Sequence, residues 1–210
     1  MYKIFPVTPL AVTPSTIAAY KSLRLTSLQV DPSWFSSTYA REVAFTDEEW
    51  GGRISSFSNS KRTFVASIAS GETSETSLDT AGAQNETWIG TVTILGPSDI
   101  PPSALAPLDK AGVGANWAPY VLVAMWVHPH HRGKGVGHEL VMRGVEWARE
   151  HKDPKWTDEK EKVVILLVHD DNARGRALYA KAGFEDIVQM PMDNGERWMF
   201  LRLADRRRVH

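Results

Sequence analysis

The amino-acid sequence predicts an α/β protein, and two strand–helix units carry that prediction. The runs VLVAMWV at residues 121–127 and VVILLV at residues 163–168 have the length and apolar composition of buried strands. Each run is followed by a turn and then by apolar residues at helical spacing. Along residues 121–127, Val121 and Val127 are expected on one face of the sheet, with Leu122 and Trp126 on the other. Strands that alternate with helices are typical of a sheet covered by helices.

The other elements follow from the same periodicities and from helix-start signals. Thr13 followed by Pro14 is typical of a helix N-terminus, and Thr46 with Glu49 three residues later forms a capping-box pattern. We expect, in order, strand 2–7, helix 14–28, a loop over 31–44, a helix after Thr46 that buries Trp50, Ile54 and Phe57, strands 62–69 and 87–95, strand 121–127, a helix after residue 137, strand 163–168, helix 172–181, and strands 184–190 and 196–203 around a turn at 193–195.

Two stretches interrupt this order and are predicted to be loop insertions in a single domain that spans residues 1–210. Residues 70–86 are rich in Gly, Ser, Thr and Glu, which indicates a surface loop. Residues 96–119 contain five prolines and are longer than a hairpin connection needs. A lid over a site is one interpretation of the longer insertion, and a surface insertion is the one that we favour.

Composition excludes several classes of function. The chain has 210 residues, 42% of them hydrophobic, and a net charge of −1, so it has the apolar content for a core and no general field for nucleic acid or membranes. It contains no cysteine, which excludes disulfides, cysteine metal sites and a cysteine nucleophile. The N-terminal residues include prolines and no apolar core of the kind found in signal peptides. We therefore expect a cytoplasmic protein.

The turn after residues 121–127 has the composition of a phosphate-binding loop. It reads Arg132-Gly133-Lys134-Gly135-Val136-Gly137 and opens a predicted helix. Backbone N–H groups in such a turn, together with the helix N-terminus, can converge on an anion, and Arg132 and Lys134 add positive charge. A dinucleotide fingerprint would need glycine where His138 stands, and no P-loop pattern occurs in the chain.

This loop resembles the pyrophosphate loop of the GNAT superfamily of acyl-CoA-dependent N-acyltransferases, whose pattern is Q/R-x-x-G-x-G/A. A second block, residues 172–184, is similar to the family's N-x-x-A-x-x-L-Y-x-K-x-G-F segment. Gly175 and Arg176 depart from it, because alanine and an aliphatic residue are usual at those positions. The matching residues are Asn172, Leu178, Tyr179, Lys181, Gly183 and Phe184.

The resemblance implies a fold and an activity. The fold would be a twisted, mixed and mostly antiparallel sheet of six or seven strands flanked by about four helices, with the fourth and fifth strands splayed into a slot for acyl-CoA. The activity would be transfer of an acetyl group from acetyl-CoA to a primary amine by direct attack in a ternary complex, with a serine intermediate left open. A catalytically silent CoA-binding sensor or regulatory subunit is the alternative. A third reading, a nucleotide-phosphate enzyme, predicts binding of ATP or NAD.

The resemblance also assigns roles to particular residues. Asn172 would contact the pantetheine arm, alongside its simpler role as a helix cap, and Tyr179 would protonate the departing thiolate. Backbone groups around Trp126 would contact the pantetheine and polarise the thioester carbonyl. The cofactor-binding set implied in this way is Met125, Trp126, Val127, Arg132, Gly133, Lys134, Gly135, Val136, Gly137, His138 and Asn172.

The general base and the acceptor are not fixed by the sequence. Residues 121–127 contain no acid where many relatives have a glutamate, so the base is His128, His169, Asp170, Glu42 or a water chain. A small-molecule or peptide amine, and a homodimer, are compatible with the sequence, whereas nucleic acid, membrane and bound metal are not expected partners. The residues expected to border the acceptor are Trp34, Phe35, Tyr39, Trp50 and Trp198, beside Glu42, Asp47 and Glu48.

Overall fold

A single seven-stranded sheet organises the protein. The computed structural model describes residues 1–55, 59–69, 86–154, 160–190, 192 and 195–203. The strands are β1 (Tyr2–Val7), β2 (Lys61–Ala69), β3 (Glu86–Leu95), β4 (Trp117–Val127), β5 (Glu161–His169), β6 (Glu185–Asp186) and β7 (Glu196–Arg202). Their order across the sheet is β1-β2-β3-β4-β5-β7-β6. All neighbouring pairs are antiparallel except β4 and β5, which are parallel. The expected mixed, mostly antiparallel sheet is confirmed.

Six α-helices lie in the described ranges, rather than about four. They are α1 (Pro14–Val30), α2 (Tyr39–Glu42), α3 (Asp47–Ile54), α4 (Pro102–Lys110), α5 (Val136–Glu150) and α6 (Ala173–Lys181). Short 3₁₀ turns occur at Pro9–Ala11, Pro32–Trp34 and Pro129–His131. Among these helices, none has the combination of length and apolar character that crossing a bilayer requires.

The helices divide between the two faces of the sheet. On the face that we call face A, α5 and α6 pack over a core that includes Leu140, Leu166 and Met199. On the opposite face, which we call face B, α1 and α3 cover β1 to β3, and α4 covers β5 and β7. Residues of β5 alternate between these cores, since Leu166 belongs to face A and Ile165 to face B.

Both predicted helix starts are confirmed in atomic detail. The Thr13 hydroxyl accepts a hydrogen bond from the Thr16 backbone at 3.3 Å, and the Thr46 hydroxyl accepts one from the Glu49 backbone at 3.2 Å. The Glu49 carboxylate accepts the return bond from the Thr46 N–H at 2.7 Å. Trp50 and Ile54 are buried as predicted, whereas Phe57 and residues 70–85 of the first insertion lie outside the described residues.

The predicted loop over residues 96–119 is wrong in two places. It contains α4, and its last residues already belong to β4. The helix has proline at its first position and again at Pro107, so its sequence resembles a turn more than a helix. It forms because Leu105 and Leu108 pack against face B, where Leu108 is buried on Val163 and Ile165. Tertiary burial therefore outweighs the local cost of Pro107.

The closing strand pair is also shorter than predicted. β6 spans two residues, Glu185–Asp186, and pairs with β7 at Phe200 and Met199. Ile187 then turns inward to the core of face B, and its N–H donates to the Trp198 carbonyl at 3.0 Å. Of the predicted turn at 193–195, only Gly195 is described, with a φ of +74°.

β4 and β5 separate part of the way along the sheet. Their parallel pairing runs from Trp117 opposite Glu161 to Val121 opposite Ile165. Beyond that point β4 continues to Val127 and β5 to His169 without pairing to each other. The sheet is thus open between the two strands at the end where the glycine-rich turn follows β4, and groups from both faces can approach this slot.

A β-bulge in β4 corrects the predicted alternation of its side chains. Thr93 of β3 pairs with Val123 and Thr91 pairs with Trp126, so β4 has one residue more than β3 in this interval. Ala124 takes up the difference with a φ of +53°. Val123 and Trp126 consequently share face B, and Val127 shares face A with Leu122.

Candidate active site

The glycine-rich turn places an open helix N-terminus beside the slot. Gly133 and Gly135 have φ values of +73° and +84°, a region that favours glycine. Gly135 is the N-cap of α5 and offers no side-chain cap, so the first N–H groups of α5 have no side-chain acceptor from that position. A Cβ on Gly133 would contact nothing within 4 Å. The turn therefore presents open backbone donors and a helix dipole, the arrangement that binds phosphate groups.

Gly137 has a different role, because it lets three elements approach closely. A Cβ at this position would lie 3.2 Å from the Met125 side chain and 3.4 Å from that of Leu178. The start of α5 thus packs directly on the bulged part of β4 and on α6. A side chain at residue 137 would push these elements apart at the edge of the slot.

Arg132 joins the glycine-rich turn to the ends of β4 and α1. Its Nε donates to the Val127 carbonyl at 2.8 Å, and its guanidinium donates to the Asp31 carboxylate. Asp31 also accepts from the Trp126 indole N–H at 2.7 Å. Burial alone would raise the pKa of Asp31, but the hydrogen bonds from Arg132 and Trp126 outweigh it and hold that pKa below its ordinary value. The charge of Arg132, which we predicted to contact a phosphate, is thus already paired with Asp31. Lys134, in contrast, is exposed, and its ammonium group donates to the His130 carbonyl at 3.0 Å.

Asn172 caps α6 with its side chain. Its Oδ1 accepts from the Gly175 N–H at 2.9 Å. The glycine at 175, a departure from the family pattern, has a structural reason here. A Cβ on Gly175 would lie 2.8 Å from Asn172 Nδ2, so alanine would displace the asparagine.

Tyr179 lies on face A, inside the core shared by α5 and α6. Its side chain is buried, and its ring contacts that of Phe184 edge-on at 5.9 Å between centroids. Burial raises the pKa of Tyr179 well above its ordinary value, so the phenol is protonated at neutral pH. No hydrogen bond joins its hydroxyl to any group in the described ranges, which leaves the proton available to a ligand.

Face B carries a group of partly exposed side chains at the splayed end of β5. The residues from Val163 to Leu166 are at most 1% exposed, yet Leu167 in the same central strand is 42% exposed. Its partner across β7 is Trp198. Trp34, from the turn after α1, lies over His169 with ring centroids 6.1 Å apart. Leu167, His169, Trp34, Trp198 and the Glu196 carboxylate therefore lie together on face B, beside the gap between β4 and β5, and we call this region the face-B cleft.

Several residues predicted to border the acceptor are interior instead. Trp50 and Glu42 are 0% exposed. Glu42 accepts two hydrogen bonds from Arg24, at 2.9 and 2.8 Å, and one from Arg53 at 3.0 Å. Phe35 lies beneath the Arg24 guanidinium, 4.4 Å from the ring centroid. Of the predicted aromatic set, Trp34 and Trp198 flank the cleft, whereas Trp50 belongs to the core around α3.

The three histidines after β4 form a cluster of rings. The His128 ring lies 5.0 Å from that of His130 and 5.9 Å from that of His131, between centroids. Burial and the neighbouring positive charges lower the pKa of His128 below its ordinary value. Within the described residues, no group of three or more His, Asp or Glu side chains is placed to hold a metal ion.

Comparisons with known proteins agree with this geometry. Residues 82–184 match the model of the acetyltransferase (GNAT) family, and this range includes the bulge, the glycine turn and α6. The match identifies this segment as a GNAT acetyltransferase domain. A search of curated protein sequences found no match.

Several solved structures share the fold. A GNAT-family acetyltransferase from Staphylococcus aureus Mu50 aligns with a TM-score of 0.58 at 13% identity, covering 97% of this chain and 100% of its own. Arabidopsis thaliana NAA60 bound to a bisubstrate analogue gives 0.57 at 14% identity, with coverage of 97% and 100%. The putative acetyltransferase yncA from Salmonella typhimurium, solved with acetyl-CoA, gives 0.56 at 16% identity, with coverage of 98% and 95%.

Proposed function

We propose that this GNAT protein transfers an acetyl group from acetyl-CoA to a primary amine by direct attack in a ternary complex, on one domain that spans residues 1–210. The observation that carries the proposal is the slot between β4 and β5, which has the open N-terminus of α5 at its mouth and the buried phenol of Tyr179 on the face-A side. A diphosphate held at the helix N-terminus and a thioester inside the slot fit that arrangement.

The cofactor side would be formed mainly by backbone groups. The glycine turn from Gly133 to Gly137 would bind the diphosphate, with Lys134 at its exposed edge. Asn172 would use its amide on the pantetheine arm while its Oδ1 caps α6. Support comes from relatives of the same fold, since both Arabidopsis NAA60 and Salmonella yncA were solved with acetyl-CoA.

Two further groups would act on the reacting thioester. The bulge in β4 adds a residue that β3 does not pair, and a backbone N–H in the interval Val123–Trp126 would stabilise the developing oxyanion. Tyr179 would donate its proton to the leaving sulfur. Burial raises the pKa of Tyr179, so the phenol keeps its proton until the thiolate forms.

The experiment that tests the proposal is a thermal-shift series with acetyl-CoA, CoA, ATP and NAD. We expect acetyl-CoA and CoA to raise the melting temperature, by an amount equivalent to about 2.7 kcal/mol at a hundredfold excess over Kd, and NAD to have no effect. In Gly135→Asp, the carboxylate would face the diphosphate and should abolish the shift. Gly112→Asp is the matched control, because Gly112 also has a positive φ and open space but lies away from the slot.

A failure of acetyl-CoA to shift the melting temperature at millimolar concentration would refute the proposal. An equal shift in wild type and Gly135→Asp would show that the glycine turn does not bind the diphosphate. Thiol release from acetyl-CoA over a panel of amines then separates an enzyme from a CoA-binding sensor, since a sensor would show the thermal shift without releasing thiol.

A further inference from the structure

This inference rests on the proposed function, in which a base removes a proton from the amine. The sequence offers four side chains for that role. Glu42 is committed to structure, because it is fully buried and accepts hydrogen bonds from Arg24 and Arg53. Burial alone would raise the pKa of Glu42, but the hydrogen bond from Arg24 and the two guanidinium charges outweigh it and lower that pKa. A carboxylate so stabilised has no tendency to take a proton at neutral pH.

Asp170 and His128 are also poorly suited. Asp170 lies 3.1 Å from the Arg176 guanidinium and accepts from Arg197 at 2.7 and 3.0 Å, so its charge is neutralised. His128 lies beyond the other strand of the slot, and it borders a separate cavity of about 340 Å³ with α1 and the start of β3. Neither side chain belongs to the face-B cleft.

His169 is the candidate that the cleft itself contains. It is the last residue of β5, at the splayed end, and it shares face B with the exposed Leu167. Its Nε2 lies 3.4 Å from a carboxylate oxygen of Glu196, which is its direct partner across β7. Within the described residues Glu196 has no arginine or lysine partner, so its charge is directed at the imidazole and at the cleft.

We propose that His169 is the general base of the acetyl transfer, that Glu196 positions it, and that the acceptor is a primary amine on an aromatic or apolar body. The acceptor class follows from the surfaces beside His169. Leu167 offers an exposed aliphatic side chain, with Trp198 as its partner across β7 and the Trp34 ring beside the imidazole of His169. These surfaces favour a ring or alkyl chain, while Glu196 complements an arriving ammonium.

The chemistry balances with groups already described. His169 accepts one proton from the arriving ammonium, and the lone pair freed in this way forms the new N–C bond. The C–S bond breaks at the same carbon, its electron pair stays on sulfur, and Tyr179 donates the proton that neutralises the thiolate. The nitrogen, which is positively charged after the attack, releases its second proton to solvent as the amide forms. Solvent then takes a proton from His169 and returns one to Tyr179, so an ammonium and a thioester become an amide, a thiol and one released proton.

The test of the base is the pH dependence of kcat/KM for 2-phenylethylamine in wild type and in His169→Gln. Removing a base should lower kcat/KM by about a hundredfold or more near pH 7. The loss should shrink as the pH approaches the pKa of the amine itself, because the neutral amine no longer needs a base. His130→Gln is the matched control, since His130 is exposed and outside the cleft, and it should keep the wild-type profile.

Glu196→Gln separates positioning from catalysis. It should lower kcat/KM less than His169→Gln, because the imidazole that takes the proton is still present. A loss in His169→Gln that is constant from low to high pH would assign the histidine a structural role and overturn the proposal, as would a kcat/KM within about threefold of wild type at pH 7. Acetyl-CoA should raise the melting temperature of every variant, so these outcomes stay distinct from a failure of the proposed function.

The acceptor class has its own test. Leu167→Ser should lower kcat/KM for 2-phenylethylamine by about tenfold, because the phenyl ring of this amine contacts Leu167. The kcat/KM for ethylamine, which has no ring, should stay unchanged. Equal values for both amines in wild type would overturn the assignment of an apolar body. Preference for a peptide N-terminus over every small arylalkylamine would overturn it too.

Discussion

The cofactor side and the acceptor side of this protein are built in different ways. On the cofactor side, the interactions are local: a glycine turn opens α5, and Asn172 caps α6 by accepting from Gly175, three residues away. On the acceptor side, the contacts join distant parts of the chain, as when Asp31 accepts from Trp126, 95 residues away. Local interactions leave a recognisable spacing in the sequence, and long-range ones do not.

The comparison also separates backbone from side-chain chemistry. In the proposed function, the turn from Gly133 to Gly137 acts through its main chain, so few substitutions are compatible with it. The face-B cleft would act through the side chains of Trp34, Leu167, His169 and Glu196, which the same backbone could replace with others. We infer that cofactor binding is set by the fold and acceptor choice by a few replaceable residues.

The largest expected effect tests the cofactor side at Tyr179. Tyr179→Phe keeps the buried ring and removes the hydroxyl, so kcat should fall by roughly 10²–10⁴-fold while the affinity for acetyl-CoA changes little. Tyr120→Phe is the matched control. Tyr120 is also buried, but its hydroxyl donates to the His151 carbonyl at 3.0 Å, so its loss should lower the melting temperature and leave kcat near wild type. Equal kcat in both variants would remove Tyr179 from the mechanism.

The next effect tests the stability contributed by the buried ion network of Glu42, which the sequence had assigned to the acceptor border. Glu42→Ala leaves Arg24 buried without its carboxylate, which should cost about 3–5 kcal/mol of unfolding free energy, measured by urea denaturation. Glu161→Ala removes an exposed partner of Arg202 and should cost less than about 1 kcal/mol. A small loss in Glu42→Ala would mean that water replaces the carboxylate.

The same residue gives a pH dependence with a defined sign. Because the folded-state pKa of Glu42 is lowered from 4.5, its stabilisation is complete above that value and is lost as the pH falls through the folded pKa. The stability difference between wild type and Glu42→Gln should therefore shrink below about pH 4.5.

The smallest effect concerns the cap of α6. Alanine usually stabilises a helix interior by about 1 kcal/mol relative to glycine. Gly175→Ala should bring no such gain, because the new Cβ displaces the Asn172 cap. Gly52→Ala, at an exposed position in α3 with nothing within 4 Å, should show the usual gain in melting temperature. Equal gains at both positions would show that Asn172 adapts without loss.

What the sequence could and could not predict follows the same division. The order of the strands, both capped helix starts and the glycine turn were predictable, since each depends on residues within a few positions of one another. The bulge was not, because Ala124 adopts a positive φ that alanine does not signal. α4 was missed because Pro107 predicts a break in a helix. The burial of Leu108, which stabilises α4, depends on a long-range contact with β5. Trp50 and Glu42 were assigned to a pocket because composition alone does not distinguish a core aromatic or a paired acid from an exposed one.

The carboxylate of Asp31 contacts both the proposed cofactor site and the proposed acceptor site. This shared contact has a thermodynamic consequence. Asp31 accepts from Trp126 and from Arg132, the first residue of the phosphate turn, and it immediately precedes the 3₁₀ turn that carries Trp34. We expect a ligand that draws Arg132 away from Asp31 to loosen the turn that carries Trp34. A ligand that leaves this ion pair intact should hold the turn in place. By reciprocity, an amine that tightens this turn must change the affinity for acetyl-CoA by the same factor. In the proposed function, one ion pair thus couples the binding of the two substrates.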